Sequence, residues 1–366
     1  MPWNWELPKW PHFIFESARL AKQEIFFFLE LGSAGAFLKN IQKNDYERFV
    51  IEILSQEGIE SSRIEGEFLD RESLQSSIQQ HFGLKANKDK KPKEEGMAEP
   101  LCDVYQSYKE TLTHEMLFKW HKSLFKSSNH LEDIGKYRSH AEPMQIVSHR
   151  YDAPKVYFEA PPSKRVMSEM KHYIKWYNCN DNTSVLAKAA IAHVYFESIH
   201  PFEDGNGRIG RLLVEKIISQ GVDRPVLIAV SKVLEKRKKE YYAALEKCNK
   251  TLEINHWLDF FGEVVLQAQQ ESMKLLSFLV NKAKLMTRLQ GQLNERQEKV
   301  LLRIFREGPE GFQGGLSAEN YLSISKTSRA TATRDLSDLV DKGALRRTGE
   351  LRHTRYWLVN ELNLRT

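Results

Sequence analysis

Two apolar helical patterns meet end to end near the middle of the chain, with a short polar junction between them. The first, Ser184 to Ile199, carries Leu186, Ala190, His193, Val194 and Ile199 on apolar faces and reads as a buried helix. It stops at His200-Pro201, because proline cannot continue a helix and restricts the residue before it. The second pattern runs through Ile209, Leu212, Leu213, Ile217 and Ile218. A chain built on this pair is mainly helical, with Phe202-Glu203-Asp204-Gly205-Asn206-Gly207 held at a helix start.

That junction favours phosphate. The first N–H groups of a helix lack intrahelical partners, and the dipole there is positive, so anions are attracted. Gly205 and Gly207 let backbone approach a ligand closely. Arg208 and Arg211 are three residues apart, hence on one face. Both sit in the first turn, where the dipole disfavours cations, so an anionic ligand explains them better than helix stability does. Asp204 adds a hard oxygen ligand suited to Mg²⁺ carried on phosphates. His200 supplies a base beside the same anion.

The rest of the composition bounds the class. With 366 residues, the chain has room for two or three domains. Its 54 Lys plus Arg against 49 Asp plus Glu leave a net charge of +5, too mild to imply nucleic-acid binding alone. Cys102, Cys179 and Cys248 are far apart, with no metal-ligand spacing and no disulfide framework. The start, Met1-Pro2-Trp3-Asn4-Trp5-Glu6, is no signal peptide. Ile25 to Leu29 is too short to span a bilayer. These features predict a soluble, cytoplasmic protein with no membrane partner.

Along the chain, residues 1–97 read as an N-terminal helical region, 98–290 as a catalytic core and 291–366 as a separate C-terminal domain. Lys85 to Gly96 is charged and broken, and reads as a solvated loop. Gln145-Ile146-Val147 and Val156-Tyr157-Phe158 form a loose hairpin signal inside helical territory.

His200 to Arg211 matches His-x-Phe-x-Asp/Glu-Gly-Asn-Gly-Arg-x-x-Arg without a departure, and so resembles the signature of the Fic family. The resemblance implies a helical Fic core with a hairpin flap, and transfer of AMP from ATP onto a protein hydroxyl. His200 would deprotonate that hydroxyl, and Asp204 would bind Mg²⁺ between the α- and β-phosphates. Gly205, Asn206 and Gly207 would form the anion hole, Arg208 and Arg211 would hold the outer phosphates, and Phe202 would be the buried anchor. The hairpin fits the family's flap, to which a target peptide adds as a strand, with Val147, Ser148 and His149 nearest to it. The segment Tyr241 to Asn249 resembles the stretch that contacts adenosine, through Tyr242 and Asn249; a core tyrosine and a helix-terminal asparagine would read the same way.

Ser61-Ser62-Arg63-Ile64-Glu65-Gly66 matches the family's inhibitory pattern Ser/Thr-x-x-x-Glu-Gly/Asn. It implies that Glu65 pairs with Arg211, with Ser61 and Gly66 completing the motif. The tryptophan-rich opening, with Trp3, Trp5, Pro8 and Trp10-Pro11, resembles N-terminal regions that accompany such proteins.

Beyond Gly291, three helical patterns precede a hairpin: Leu293 to Phe305, Leu316 to Ser325, Ser328 to Val340, then Leu345-Arg346-Arg347 and Arg352 to Leu358. This order resembles a winged helix-turn-helix domain. Such domains put their second turn helix into a DNA major groove, which makes Arg329, Thr331, Thr333 and Arg334 the reading face. Arg346, Arg347, Arg352 and Arg355 would contact phosphate. Asp335, Asp338 and Asp341 on the same helix oppose DNA binding, and a protein-interaction or dimerisation module is the alternative. Three functions therefore stand at the sequence level: AMP transfer to a target protein or to the chain itself, DNA-binding regulation with the Fic core as switch, and removal of AMP with Glu65 orienting water. A homodimer stays open, as do the target and the modified residue.

Overall fold

The computed structural model describes residues 1–16, 18–38, 41–85, 91–128, 130–147, 155–309 and 311–359. The chain is mainly helical and forms two compact units, residues 1–36 with 50–271, and residues 37–49 with 272–366.

The helices, in chain order, begin with α1 (Ala21–Leu38), α2 (Lys43–Ile64), α3 (Arg71–His81), α4 (Pro92–Ser107) and α5 (His114–Leu124). A hairpin of β1 (Gln145–Val147) and β2 (Val156–Glu159) follows. Then come α6 (Ser163–Tyr177), α7 (Val185–Ile199), α8 (Asn206–Gly221), α9 (Val230–Lys236), α10 (Lys238–Cys248) and the long α11 (Asn255–Arg288). The order closes with α12 (Glu295–Arg306), α13 (Ala318–Ser325), α14 (Arg329–Asp341), β3 (Leu345–Thr348) and β4 (Arg355–Leu358).

In the first unit α7 is the central rod. Its apolar side chains after Val185, Leu186, Ala190, Val194, Phe196 and Ile199 among them, are buried. A helix apolar all round needs cover on every side. Its neighbours also cap its backbone: Tyr173 Oη donates to Ala192 O at 3.1 Å and Trp257 Nε1 to Ala190 O at 2.8 Å. Such side-chain bonds to main-chain carbonyls fix α7 in depth and rotation, and so fix the residue at its end.

The hairpin forms at the two predicted β-prone runs. Gln145 pairs with Glu159 and Ile146 with Phe158, antiparallel, and the register shifts before Val147 pairs with Val156. The opening tryptophans anchor its base: Trp5 Nε1 donates to Glu159 O at 2.7 Å, and the Trp3 ring meets Phe158 edge-on at 5.5 Å. Asn4 Nδ2 donates to Ser198 Oγ at 2.8 Å and to Cys248 O at 3.1 Å, tying the same segment to α7 and α10.

Contrary to the expectation from charge, Lys85 to Gly96 is not a loop throughout, because α4 begins at Pro92. Proline is pre-set for the first helical position, and Glu94 and Glu95 in the first turn suit the dipole. Glu94 is buried and accepts from Asp70 N at 2.7 Å, a role that no charge-pattern reading supplies.

In the second unit the helix–helix–helix–hairpin order stands where the sequence placed it. Val300, Leu301, Ile304, Leu316, Tyr321, Ala332, Leu336, Leu339 and Leu345 form its core, together with Leu285 and Leu289 from the end of α11. α14 is capped by Ser328 and stops before Gly343, whose φ of +64 suits glycine. β3 and β4 pair antiparallel, Leu345 with Leu358 and Thr348 with Arg355.

Candidate functional site

The junction between α7 and α8 is a cross-braced turn. His200 ends α7 in the left-handed region, at φ 49 and ψ 60, and its N–H still bonds Phe196 O at 2.9 Å. Phe202 is fully buried and stacks on His121, with ring centroids 4.3 Å apart. Asn206 closes the loop on itself: its Oδ1 accepts from Phe202 N at 2.9 Å and its Nδ2 donates to Phe202 O at 2.8 Å. Gly205 stands at φ +80, and a Cβ there would strike the Phe125 ring at 2.7 Å. Ile209 N makes the first bond of α8, to Gly205 O at 3.0 Å. The N–H groups before it therefore lack intrahelical partners, the arrangement that suits an anion.

Three further residues hold this loop, and sequence reading missed them. Arg138 Nε donates to His200 O at 2.8 Å, and its other nitrogens reach Ser163 Oγ and Pro161 O. Glu203 accepts from Glu132 N and Asp133 N, both at 3.0 Å. His121 lies 3.2 Å from Asp204 O through Nε2, and its Nδ1 accepts from Gly135 N, so Nε2 carries the proton. Burial pushes the His121 imidazole down to about 4, which keeps it neutral in that role.

Both arginines are buried in α8 and both face carboxylates. Arg211 donates from Nε to Ser61 Oγ at 2.8 Å, and from Nη2 to Ser61 O at 2.8 Å and Glu65 Oε1 at 2.7 Å. Burial opposes the Arg211 charge, but the Glu65 carboxylate outweighs it and raises the guanidinium above its ordinary value. Glu65 shows the mirror effect: burial pushes it up, the nearby Arg211 charge pulls harder, and the carboxyl lies below its usual range. The glutamate also hangs over Gly207, where any Cβ would collide with its Oε1.

Arg208 has its own partner, also missed in the sequence. Its Nη1 donates to Glu67 Oε2 at 2.6 Å, and its guanidinium lies 4.8 Å over the Phe125 ring. Gly66, at φ +83, makes the turn that returns the chain so that Glu67 follows Glu65 to the site. Glu67 N–H bonds Ser62 O at 2.9 Å, which fixes that turn to the end of α2.

His200 is the candidate base. Burial, then the Arg138 charge, lower its imidazole to about 4, so it is neutral at ordinary pH. Asp204 is exposed, its Oδ1 accepting from Gly205 N at 2.5 Å and its Oδ2 lying 3.9 Å from Arg208 Nη2. Tyr242 donates from Oη to Ile64 O at 3.3 Å, and Lys238 Nζ donates to the same carbonyl at 2.5 Å, so both touch the end of α2. Asn249 Nδ2 donates to Tyr157 O at 3.1 Å, which engages that amide with the hairpin. Val147 is exposed on β1, whereas Ser148 and His149 lie outside the described residues. In the second unit, Arg329, Arg334, Arg346, Arg347 and Arg352 are exposed and Arg355 is half-buried.

The fold and the junction together define a helical protein that presents a neutral imidazole and two buried arginines at one glycine-opened helix start. Residues 111–218 match the Fic/DOC family, so the chain carries a Fic/DOC domain. Residues 3–84 match a domain of unknown function, DUF4172. A probable protein adenylyltransferase of Aquifex aeolicus is 27% identical over 139 residues, which are 33% of this chain and 42% of that relative. Protein adenylyltransferase fic-1 of Caenorhabditis elegans is 36% identical over 86 residues, 23% of this chain and 16% of that relative. The chain thus spans less than half the length of these relatives. Among solved structures, a Fic family protein from Desulfovibrio desulfuricans shares the fold at TM-score 0.56 and 20% identity, over 96% of this chain and 98% of that one. A Fic domain containing signaling protein from Bacteroides thetaiotaomicron does so at TM-score 0.53 and 18% identity, over 69% and 96%.

Proposed function

We propose that this chain transfers AMP from ATP to a hydroxyl group of a protein, itself included, and that Glu65 holds it in check. The observation that carries the reading is the junction. A neutral imidazole at the end of α7 and two buried arginines in the first turns of α8 flank a glycine-opened helix start. The hydroxyl oxygen attacks the α-phosphate, its proton goes to His200, and pyrophosphate leaves. The chain's own work is positioning and charge neutralisation. Arg208 and Arg211 suit the outer phosphates, and the N–H groups at Asn206 and Gly207 suit phosphate oxygens. The adenylyltransferase names of the relatives support the AMP reading.

A magnesium ion fits this site as a companion of the nucleotide. Asp204 is one exposed carboxylate beside the helix start. Among the described residues, no group of three or more His, Cys, Asp or Glu could hold a metal by itself. Mg²⁺ characteristically takes one or two carboxylates and completes its shell with phosphate and water. Bound there, it would neutralise charge between the α- and β-phosphates. Labelled-AMP incorporation should therefore require Mg²⁺ and fall on the order of a hundredfold in Asp204→Ala. Full Mg²⁺-dependent incorporation by that variant would remove Asp204 from the reading.

A second reading, DNA binding by the second unit, draws support from where its aspartates point. Asp335 is buried and bonds Arg296, Tyr321 and Asn294. Asp338 bonds Lys342 and Gln297 Nε2. Two of the three acidic residues that opposed DNA on α14 are thus spent inside the unit. The five exposed arginines remain, and removing one that touches phosphate should flatten the salt dependence by about one unit of slope. Anisotropy with duplex DNA across a salt series, on the whole protein and on Arg346→Ala with Arg347→Ala, is the check. No binding at low salt would leave a protein-interaction role.

A further inference from the structure

Three titratable side chains lie along one face of α7, at the helical spacing of i, i+4 and i+7: His193, Glu197 and His200. The function proposed above uses only the last of them. Glu197 Oε2 stands 3.7 Å from His200 Nδ1. On its other side, Glu197 Oε1 and His193 Nδ1 converge over Gly210, where a Cβ would meet them at 2.9 Å and 3.1 Å. His193 continues the line, its Nε2 lying 2.8 Å from Tyr241 Oη. Glu197 Oε1, His193 Nδ1 and His200 Nδ1 are all buried, and none makes a hydrogen bond among the described residues. Buried polar atoms are nearly always paired, so the unpaired His200 Nδ1, 3.7 Å from Glu197 Oε2, marks a contact made in another state.

We propose that Glu197 is the positioning residue of the base, accepting a hydrogen bond from His200 Nδ1 once Glu65 leaves Arg211. The inference rests on the AMP-transfer reading of His200. An imidazole that takes a proton at Nε2 must carry its other proton at Nδ1, and an ionised acceptor there fixes the tautomer and stabilises the imidazolium that forms. In the transfer step, the hydroxyl proton goes to Nε2 as the oxygen–phosphorus bond forms and pyrophosphate departs. Glu197 gains and loses no proton in that step.

The latch and this contact are linked by charge. Burial first, then the Glu65 carboxylate, push Glu197 up to about 8, while Arg211 opposes them. Burial, with Glu65 adding to it, thus favours the protonated Glu197, a poor acceptor. Its removal takes away that negative neighbour and leaves Arg211 unopposed, and both changes favour the carboxylate. The other titratable groups facing Glu197 are His193, His200, Tyr173, Tyr241 and Tyr242. Those facing His200 are Arg138, Asp204 and Glu65, with the Glu197 carbonyl also turned to its ring.

The test uses the full chain in the Glu65→Gly background, with and without Glu197→Gln, an isosteric change. Histidine NMR follows His200 through a pH titration, a readout that needs no transfer activity and so stands apart from the AMP reading. The His200 midpoint should fall by about one unit in Glu197→Gln, a tenfold loss of proton affinity. AMP transfer should fall about tenfold in kcat with KM for ATP unchanged. A His200 midpoint that stays put overturns the proposal. A second arm needs no substitution at 197: the Glu197 carboxyl carbon is followed through pH in wild type and in Glu65→Gly. A titration that moves down in Glu65→Gly supports the link, and one that does not move overturns it.

Discussion

Replacing Glu65 with glycine should raise self-modification by AMP roughly thirtyfold to a hundredfold, far more than it raises ATP affinity. The pair it removes is a charge-assisted bond of 2.7 Å to Arg211 Nη2. Such a bond is worth about 2 kcal/mol, or roughly thirtyfold in an equilibrium. Glu65 also stands over Gly207, so its negative charge sits at the helix start proposed above to take phosphate. On the proposed reading, ATP that enters with the carboxylate in place has its outer phosphates displaced and its α-phosphate out of line. Misplacement of that kind costs on the order of a hundredfold. Glu67→Gln should activate less, since it frees Arg208 alone, and the double variant should exceed either single one. Rates of labelled-AMP incorporation for the four proteins decide the matter. Equal rates for wild type and Glu65→Gly would end the inhibitory reading.

His200→Ala should abolish transfer, with a loss on the order of a thousandfold, while ATP still binds. The proposed reading gives His200 the proton and leaves phosphate to the arginines and the helix start, and the His200 Nδ1 has no hydrogen bond among the described residues. One complication is conformational. His200 stands at φ 49, a left-handed position that asparagine tolerates better than alanine. His200→Asn therefore serves as the control for backbone strain, and it should be as inactive as His200→Ala. The wild-type imidazole titrates near 4, so it stays an unprotonated base as pH falls from neutrality. In Glu65→Gly, where the Glu197 carboxylate faces the ring, activity should be lost at a higher pH than that value. Undiminished incorporation by either variant would remove His200 from the chemistry.

Much of this site was legible because its residues sit close together in sequence. His200, Asp204, Gly205, Asn206, Gly207, Arg208 and Arg211 fall in one window whose order is chemically restrictive. The fit of Glu65 to Arg211 was legible for a different reason: the motif names both partners across a long gap. What stayed hidden is the bracing. Arg138, His121 and Glu203 act through main-chain atoms or on them, and a bond to a carbonyl leaves no mark on the sequence at its other end. Glu67 was hidden by its neighbour, since a charged residue after a helix end is by default solvated. The N-terminal limit of α4 was obscured because Pro92 breaks a helix inside it and starts one at its first position. Asn249 was read for its capacity to face adenine, and the structure turns that amide toward Tyr157 O.

Gly207 sets a condition on how this chain can vary. A Cβ there would land on the Glu65 carboxylate and within 2.9 Å of Arg211 Nη1. A side chain at that position requires the Glu65 carboxylate, and the Arg211 guanidinium beside it, to shift. A substitution at 207 would displace the Glu65 carboxylate, and loss of that carboxylate would leave Arg211 Nη1 as the remaining close neighbour. The two positions, one in each of two distant segments, are therefore coupled through that contact, and a library that randomises either alone will misjudge what the other tolerates.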